Sequence, residues 1–154
     1  MLYLLLKTIH ILSAALMFGA GLGSAFYLWR AHRGGDPVVI AAVSRQVVLA
    51  DWLFTTPAVI LQPLTGFWMM ALAGYSLNAR WVWYSLALYL LAGACWLPVV
   101  WLQMRIHKLA DTAAASHSPL PALYHRCMRI WFMLGWPAFL AVLTVFFLMV
   151  LKPV

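Results

Sequence analysis

Hydrophobic and polar positions alternate along this chain on a coarse scale. Four apolar runs, at about residues 2–28, 47–73, 81–104 and 131–151, are parted by short polar breaks. About 20 helical residues cross the ~30 Å hydrocarbon layer of a bilayer. Each run is long enough, and the pattern predicts an all-α, four-helix transmembrane bundle as a single domain over residues 1–154. Arg30–Ala31–His32–Arg33 and the turn Gly34–Gly35 close the first helix. Asp36–Pro37 then reads as an N-cap followed by a proline at the first helical position. The second helix runs to about Ala73, its first turns at the membrane surface. Residues 74–78 form a short connection with Asn78 as a cap. The third helix covers about 79–109, residues 111–121 form the longest polar loop, and the fourth helix begins near Pro119–Pro121.

Composition sharpens this picture. Hydrophobic residues make up 66% of the chain and charged ones 8%, with a mean hydropathy of +0.94, whereas soluble domains carry about a quarter charged residues. Such a chain cannot cover itself with polar surface in water. Nine tryptophans and six tyrosines suit the two membrane–water interfaces. The net charge of +7 does not indicate nucleic acid, because the basic residues sit at span ends rather than on one face. Arg30, Arg33, Arg45, Arg105, Lys108, Arg126 and Arg129 fall on one side, and Lys7, Arg80 and Lys152 on the other. Under the positive-inside rule this predicts both termini on the outer side of a bacterial inner membrane. Lys7 interrupts the first apolar run too early for a signal peptide, so the first helix is expected to be retained. Cys95 and Cys127 fall in different spans and form no CxxC, so neither a disulfide nor a thiolate metal site is expected. Small residues at Gly19, Gly21, Gly23, Ser24, Ala92, Gly93 and Ala94 suit close helix approach. Pro57, Pro63, Pro98 and Pro137 each remove a helical hydrogen bond inside a span.

Ionisable groups inside a span are costly and point to function. His10 lies about 13 Å from the helix start at 1.5 Å per residue. A neutral imidazole there suits an axial haem ligand; the alternative is a hydrogen bond to a neighbouring helix. Lys7, one turn earlier on the same face, could meet a carboxylate of the same ligand or snorkel to the interface. At His10's depth the other helices offer Thr65, Tyr89 and about residues 143–146, none a strong iron ligand. Asp51 reads as a salt-bridge partner of Arg45, Arg126 or Arg129, while Gln62 and Gln103 suit bonds across helices, Gln62 with a claim on the His10 region. His32, His107, His117 and His125 lie at the opposite end, where His125 could begin a second site. Met69–Met70 raises copper as a third class, although adjacent helical residues point about 100° apart and make a poor clamp.

The opening Tyr3-Leu-Leu-Leu-Lys7-Thr-Ile-His10, followed by Phe18-Gly-Ala-Gly-Leu22, resembles the first helix of the HemJ-type protoporphyrinogen IX oxidases, small four-helix bacterial membrane proteins that bind haem b. Thr56-Pro57-Ala58-Val59-Ile60 with Gly66 resembles their second helix. Pro137 with Leu151-Lys152-Pro153 resembles the end of their fourth. The resemblance implies His10 as the haem ligand and Lys7 as the lysine one turn before it. The chain departs from that family where Ser85 replaces a third-helix lysine and Leu134-Gly135-Trp136 replaces an Asn-Glu pair. Leu49-Ala50-Asp51-Trp52, Leu61-Gln62-Pro63-Leu64-Thr65-Gly66 and Cys95-Trp96-Leu97-Pro98 are similar to an uncharacterised family of predicted four-helix membrane proteins. The expectation is thus a haem-b-binding, redox-active membrane protein acting on a porphyrin or quinone, as a monomer or homo-oligomer. The competing class is a non-enzymatic subunit packed against a larger respiratory or transport complex.

Overall fold

The computed structural model describes residues 1–76 and 79–151. Four helices, α1 (Leu2–Gly34), α2 (Pro37–Ala73), α3 (Arg80–Ala115) and α4 (Ala122–Leu151), are each long and apolar enough to cross a membrane. They run alternately up and down. The α1–α2 and α3–α4 connections therefore share one end, here the basic end. Met1 and Leu151 share the other, the terminal end.

Local chemistry sets the turns. Gly35 takes the left-handed conformation (φ 73°), and its N–H reaches the carbonyls of Ala31 and His32. The next helix starts at once, because Asp36 Oδ1 accepts the Val38 N–H at 2.9 Å and Pro37 needs no helical partner. Gly74 (φ 67°) ends α2 in the same left-handed way. The expected cap at Asn78 lies outside the described residues, as does Lys152. The loop expected over 111–121 is shorter than the sequence suggests. Helix α3 continues through Ala115, helped by three successive alanines, and Thr112 Oγ1 donates back to the Lys108 carbonyl at 2.9 Å. His117, at φ 48°, takes the left-handed position that a glycine usually holds, and the Ser118 N–H closes the turn on the Ala113 carbonyl at 3.0 Å.

Helix α2 is not uniform. Residues Asp51–Thr55 form a π-helical turn in which the Thr56 N–H bonds to the Asp51 carbonyl. Pro57 follows directly; with no N–H to offer, it leaves the Leu53 carbonyl without its α-helical partner, which favours the wider turn. Before this turn α2 packs on both α1 and α3; beyond it, α2 stays against α1. One side chain bridges the divergence: Tyr89 of α3 donates its hydroxyl to the Val59 carbonyl of α2. That carbonyl is free because the residue four positions on is Pro63.

The two ends of the bundle are built differently. The apolar core, formed by Leu28, Ile40, Val47, Leu102, Ile106, Tyr124, Cys127, Met128 and Trp131 among others, lies in the basic half. In the terminal half α1 pairs with α2 and α3 with α4. Phe18 of α1 ties the pairs together by stacking on Phe139 and meeting Phe146 edge-on. Lipid is as apolar as leucine, so packing and hydrogen bonds rather than water exclusion hold such helices together. More than half of the buried positions of α2 are accordingly polar: Ser44, Asp51, Thr55, Gln62 and Thr65 lie buried with Ile40, Ala41, Val47 and Ala58. From Ser44 onward their spacings of three and four residues make one helical stripe. Its opposite face, with Ile60, Leu64 and Phe67, is exposed.

The glycine expectation needs correction. A Cβ built on Gly19, Gly21, Gly23 or Gly93 would meet no atom within 4 Å, so no helix of this chain uses those gaps. Gly66 alone among the nine glycines has a neighbour there, the His10 ring.

Candidate functional site

His10 sits on the face of α1 that meets α2 beyond the π turn. Its Nδ1 lies 2.8 Å from Thr65 Oγ1. The Thr65 hydroxyl has one proton, and it is directed at the Leu61 carbonyl, 2.6 Å away. With its proton on the Leu61 carbonyl, the Thr65 oxygen accepts from His10 Nδ1–H; with the proton turned to Nδ1, His10 accepts instead. A neutral imidazole protonated on Nδ1 carries its lone pair on Nε2, the nitrogen a metal takes. Among the described residues Nε2 has no hydrogen-bond partner.

A second set of bonds fixes the backbone beneath the ring. Gln62 Nε2 donates to the His10 carbonyl at 2.9 Å and to Ser13 Oγ at 3.1 Å, using both amide protons. Ser13 in turn donates to the same carbonyl at 3.1 Å. Ser13, Gln62 and Thr65 are buried, while His10 is half-buried. The imidazole lies over Gly66: a Cβ there would sit 3.4 Å from His10 Cε1. α1 and α2 are thus latched at this level by polar groups, with the ring edge opposite Nδ1 left over.

The other candidates fall elsewhere. Lys7 is exposed, one turn towards the terminal end, and is not part of the latch. Asp51 is buried 14 residues below Thr65 on α2, about 21 Å along the helix, and shares no site with His10. Its Oδ1 accepts from Thr55 at 2.9 Å, and the expected partners Arg45, Arg126 and Arg129 are exposed. Gln62 does bond across helices, as expected, and its target is His10 itself. Near the basic end Ser44 meets His107 at 3.2 Å, while His32 meets Tyr124 Oη at 3.1 Å and the His125 ring at 6.0 Å between centroids. His32 and His125 also line a groove of about 520 Å³ together with His117. No group of three His, Cys, Asp or Glu able to hold a metal exists among the described residues. Cys95 and Cys127 are free thiols.

Sequence reasoning placed Thr65 at the depth of His10 but missed its role, took Gly66 only as part of a family motif, and missed Ser13 altogether. Ser13 was findable: three residues after His10, it lies on the same helical face. Ser85 emerges as a further feature. It is buried, and its hydroxyl has no hydrogen-bond partner. Counting along α3 from the Ser44–His107 contact places Ser85 within about a turn of the Thr65 level.

Fold and site together define a four-span helical integral membrane protein with a polar inter-helix latch around one intramembrane histidine. The chain belongs to the DUF2269 family, described as predicted integral membrane proteins, which it matches over residues 4–153. No match was found among curated proteins or among solved structures.

Proposed function

We propose that this protein binds haem b through His10 and acts as a redox-active membrane protein on a porphyrin or a quinol. One observation carries the reading: His10 Nδ1 lies 2.8 Å from Thr65 Oγ1, a bond in which donation from Nδ1–H leaves the Nε2 lone pair free for a metal. Metal-ligating histidines characteristically donate their other ring nitrogen in this way. The donor set fits a single protein ligand to iron. Thr65 is committed to the Leu61 carbonyl and Tyr89 to the Val59 carbonyl, so neither hydroxyl competes with the imidazole. When bound, the haem would supply one-electron chemistry that no side chain here provides. Gln62 and Ser13 hold the α1 backbone so that the ring keeps its position, and Gly66 gives the ring room. Lys7, exposed one turn away, would hold a haem propionate. The resemblance of residues 3–10 to the HemJ-type oxidases supports this reading. The seven-to-three split of basic residues supports placing the basic end in the cytoplasm of a bacterium and both termini outside.

The test is the reduced-minus-oxidised spectrum of detergent-purified protein beside His10→Ala. A Soret band lost in the variant is the expected result. A colourless protein that copurifies in fixed ratio with a larger complex would replace this reading with that of a non-enzymatic subunit.

A further inference from the structure

A second groove at the basic end, of about 390 Å³, lies between the last turns of α3 and the start of α4. Its walls are apolar: Leu109 and Ala113 from α3, with Pro119, Pro121 and Leu123 completing them. Its hydroxyls are spent within the chain. Thr112 Oγ1 donates to the Lys108 carbonyl at 2.9 Å, and Ser118 Oγ pairs with Ser116 Oγ at 2.8 Å. What remains is positive charge. Arg105 and Lys108, neighbours on one face of α3, both line the groove and are both exposed. Neither has an ion-pair partner among the described residues, and the exposed Asp111, one turn beyond Lys108, pairs with neither. An apolar trough with two unpaired cations fits an amphipathic anion.

Depth narrows the choice. Trp83 and Trp101 are both exposed on α3, and they stand about 27 Å apart at 1.5 Å per residue. That is close to the ~30 Å of hydrocarbon in a bilayer. Indole rings favour the two interfaces, so Trp101 marks the membrane boundary at the basic end. Arg105 lies over its ring, with Cζ 5.1 Å from the centroid. Arg105 and Lys108 then fall about 6 and 10 Å beyond that boundary, at the level of lipid headgroups. On the hydrocarbon side of Trp101, Leu97 and Leu90 are exposed, and near-whole-turn spacings keep them on the face that carries the two cations. An anion held by Arg105 and Lys108 thus finds an apolar path leading into the membrane. A free phosphate would leave both the walls and that path uncovered.

We infer that this groove binds an anionic glycerophospholipid, whose phosphate is held by Arg105 and Lys108 and whose acyl chains run along Trp101 and Leu97. Basic pockets between spanning helices hold acidic headgroups in this way. The site is independent of haem at His10. The experiment is native mass spectrometry of the full chain in detergent, titrated with phosphatidylglycerol or with phosphatidylcholine. The expected result is a phosphatidylglycerol adduct that survives collision energies that strip phosphatidylcholine. Each basic side chain near a membrane surface is worth about fivefold, so Arg105→Gln with Lys108→Gln should cut the preference about 30-fold. Arg30→Gln with Arg33→Gln is the control: it removes the same charge, and Arg33 also lies over a tryptophan, Trp29, but neither arginine lines this groove. It should leave the preference unchanged. Equal losses in the two double variants would mean surface charge without a site, and overturn the proposal. So would equal retention of the two lipids by the unaltered chain, or displacement of the adduct by glycerol 3-phosphate at the lipid's own concentration. These last two comparisons need no variant and decide alone should a variant fail to fold.

Discussion

Replacing Thr65 by valine removes one hydroxyl and little else, since the two side chains nearly share a shape. Two bonds disappear: the 2.8 Å acceptor for His10 Nδ1 and the 2.6 Å donation to Leu61. The second loss is mild, because the Leu61 carbonyl has another helical neighbour to draw on. The first leaves His10 free to rotate and to change tautomer. Hydrogen-bond partners of metal-bound histidines are worth about 10–100-fold in metal affinity, and hydrogen bonds between membrane helices average about 0.6 kcal/mol. His10 is half-buried, so the lower part of that range applies. The expected outcome is a loss of about tenfold in haem affinity, or ~1.4 kcal/mol, with the Soret band retained at saturating haem. Thr65→Ser, which keeps the hydroxyl, should restore most of it. Titrating haem into apoprotein and following the Soret absorbance measures both variants. Unchanged affinity in Thr65→Val, while His10→Ala abolishes binding, would refute the argument that Thr65 positions the imidazole.

Other outcomes follow from the same geometry. Gly66→Val places methyl groups where the His10 ring lies and should abolish the haem spectrum, whereas Gly93→Val, in open space, should leave it intact. Tyr124→Phe removes the partner of His32 from a fully buried position and should lower unfolding stability by about 1 kcal/mol, read from denaturant titration in detergent. Ile106→Ala opens a cavity in the packed basic half and should cost about 2–5 kcal/mol. Leu143→Ala, half-buried in the looser terminal half, should cost far less in the same assay.

Much of this architecture could be read before the coordinates because it is local. Span length, the Gly35–Asp36–Pro37 turn and the anomaly of a histidine in an apolar run depend on neighbours a few residues away. What escaped depends on which helix stands opposite. The 111–121 segment looks like a loop from its serines and prolines, yet its alanines and a threonine back-bond carry the helix to Ala115. The glycines of α1 suggest a close crossing, but the α1 contact with α2 runs along Ser13 and His10 instead. Asp51 was assigned to arginines by charge alone; burial within the stripe of α2 takes it away from them. The stripe itself is visible in hindsight, since residues 44, 51, 55, 62 and 65 share one face once the 3.6-residue period is applied to polar rather than apolar positions.

That stripe explains why α2 organises the molecule. In a bilayer the lipid-facing side can be any apolar residue, and Ile60, Leu64 and Phe67 are there on those terms. Specific association needs groups that lipid cannot satisfy, and α2 supplies them in sequence: Ser44 to His107 of α3, Asp51 beside Gln103, the Val59 carbonyl to Tyr89, Gln62 and Thr65 to α1. Its two interior prolines are part of the same device. Pro57 favours the π turn that separates the lower contacts with α3 from the upper contacts with α1, and Pro63 frees the carbonyl that Tyr89 takes. The helix parts from α3 midway while staying against α1, and in the terminal half the α1–α2 contact is held by hydrogen bonds rather than by a close-packed core. His10 lies in the terminal half, outside the packed apolar core, and the buried Asp51 lies in the turn where α2 parts from α3.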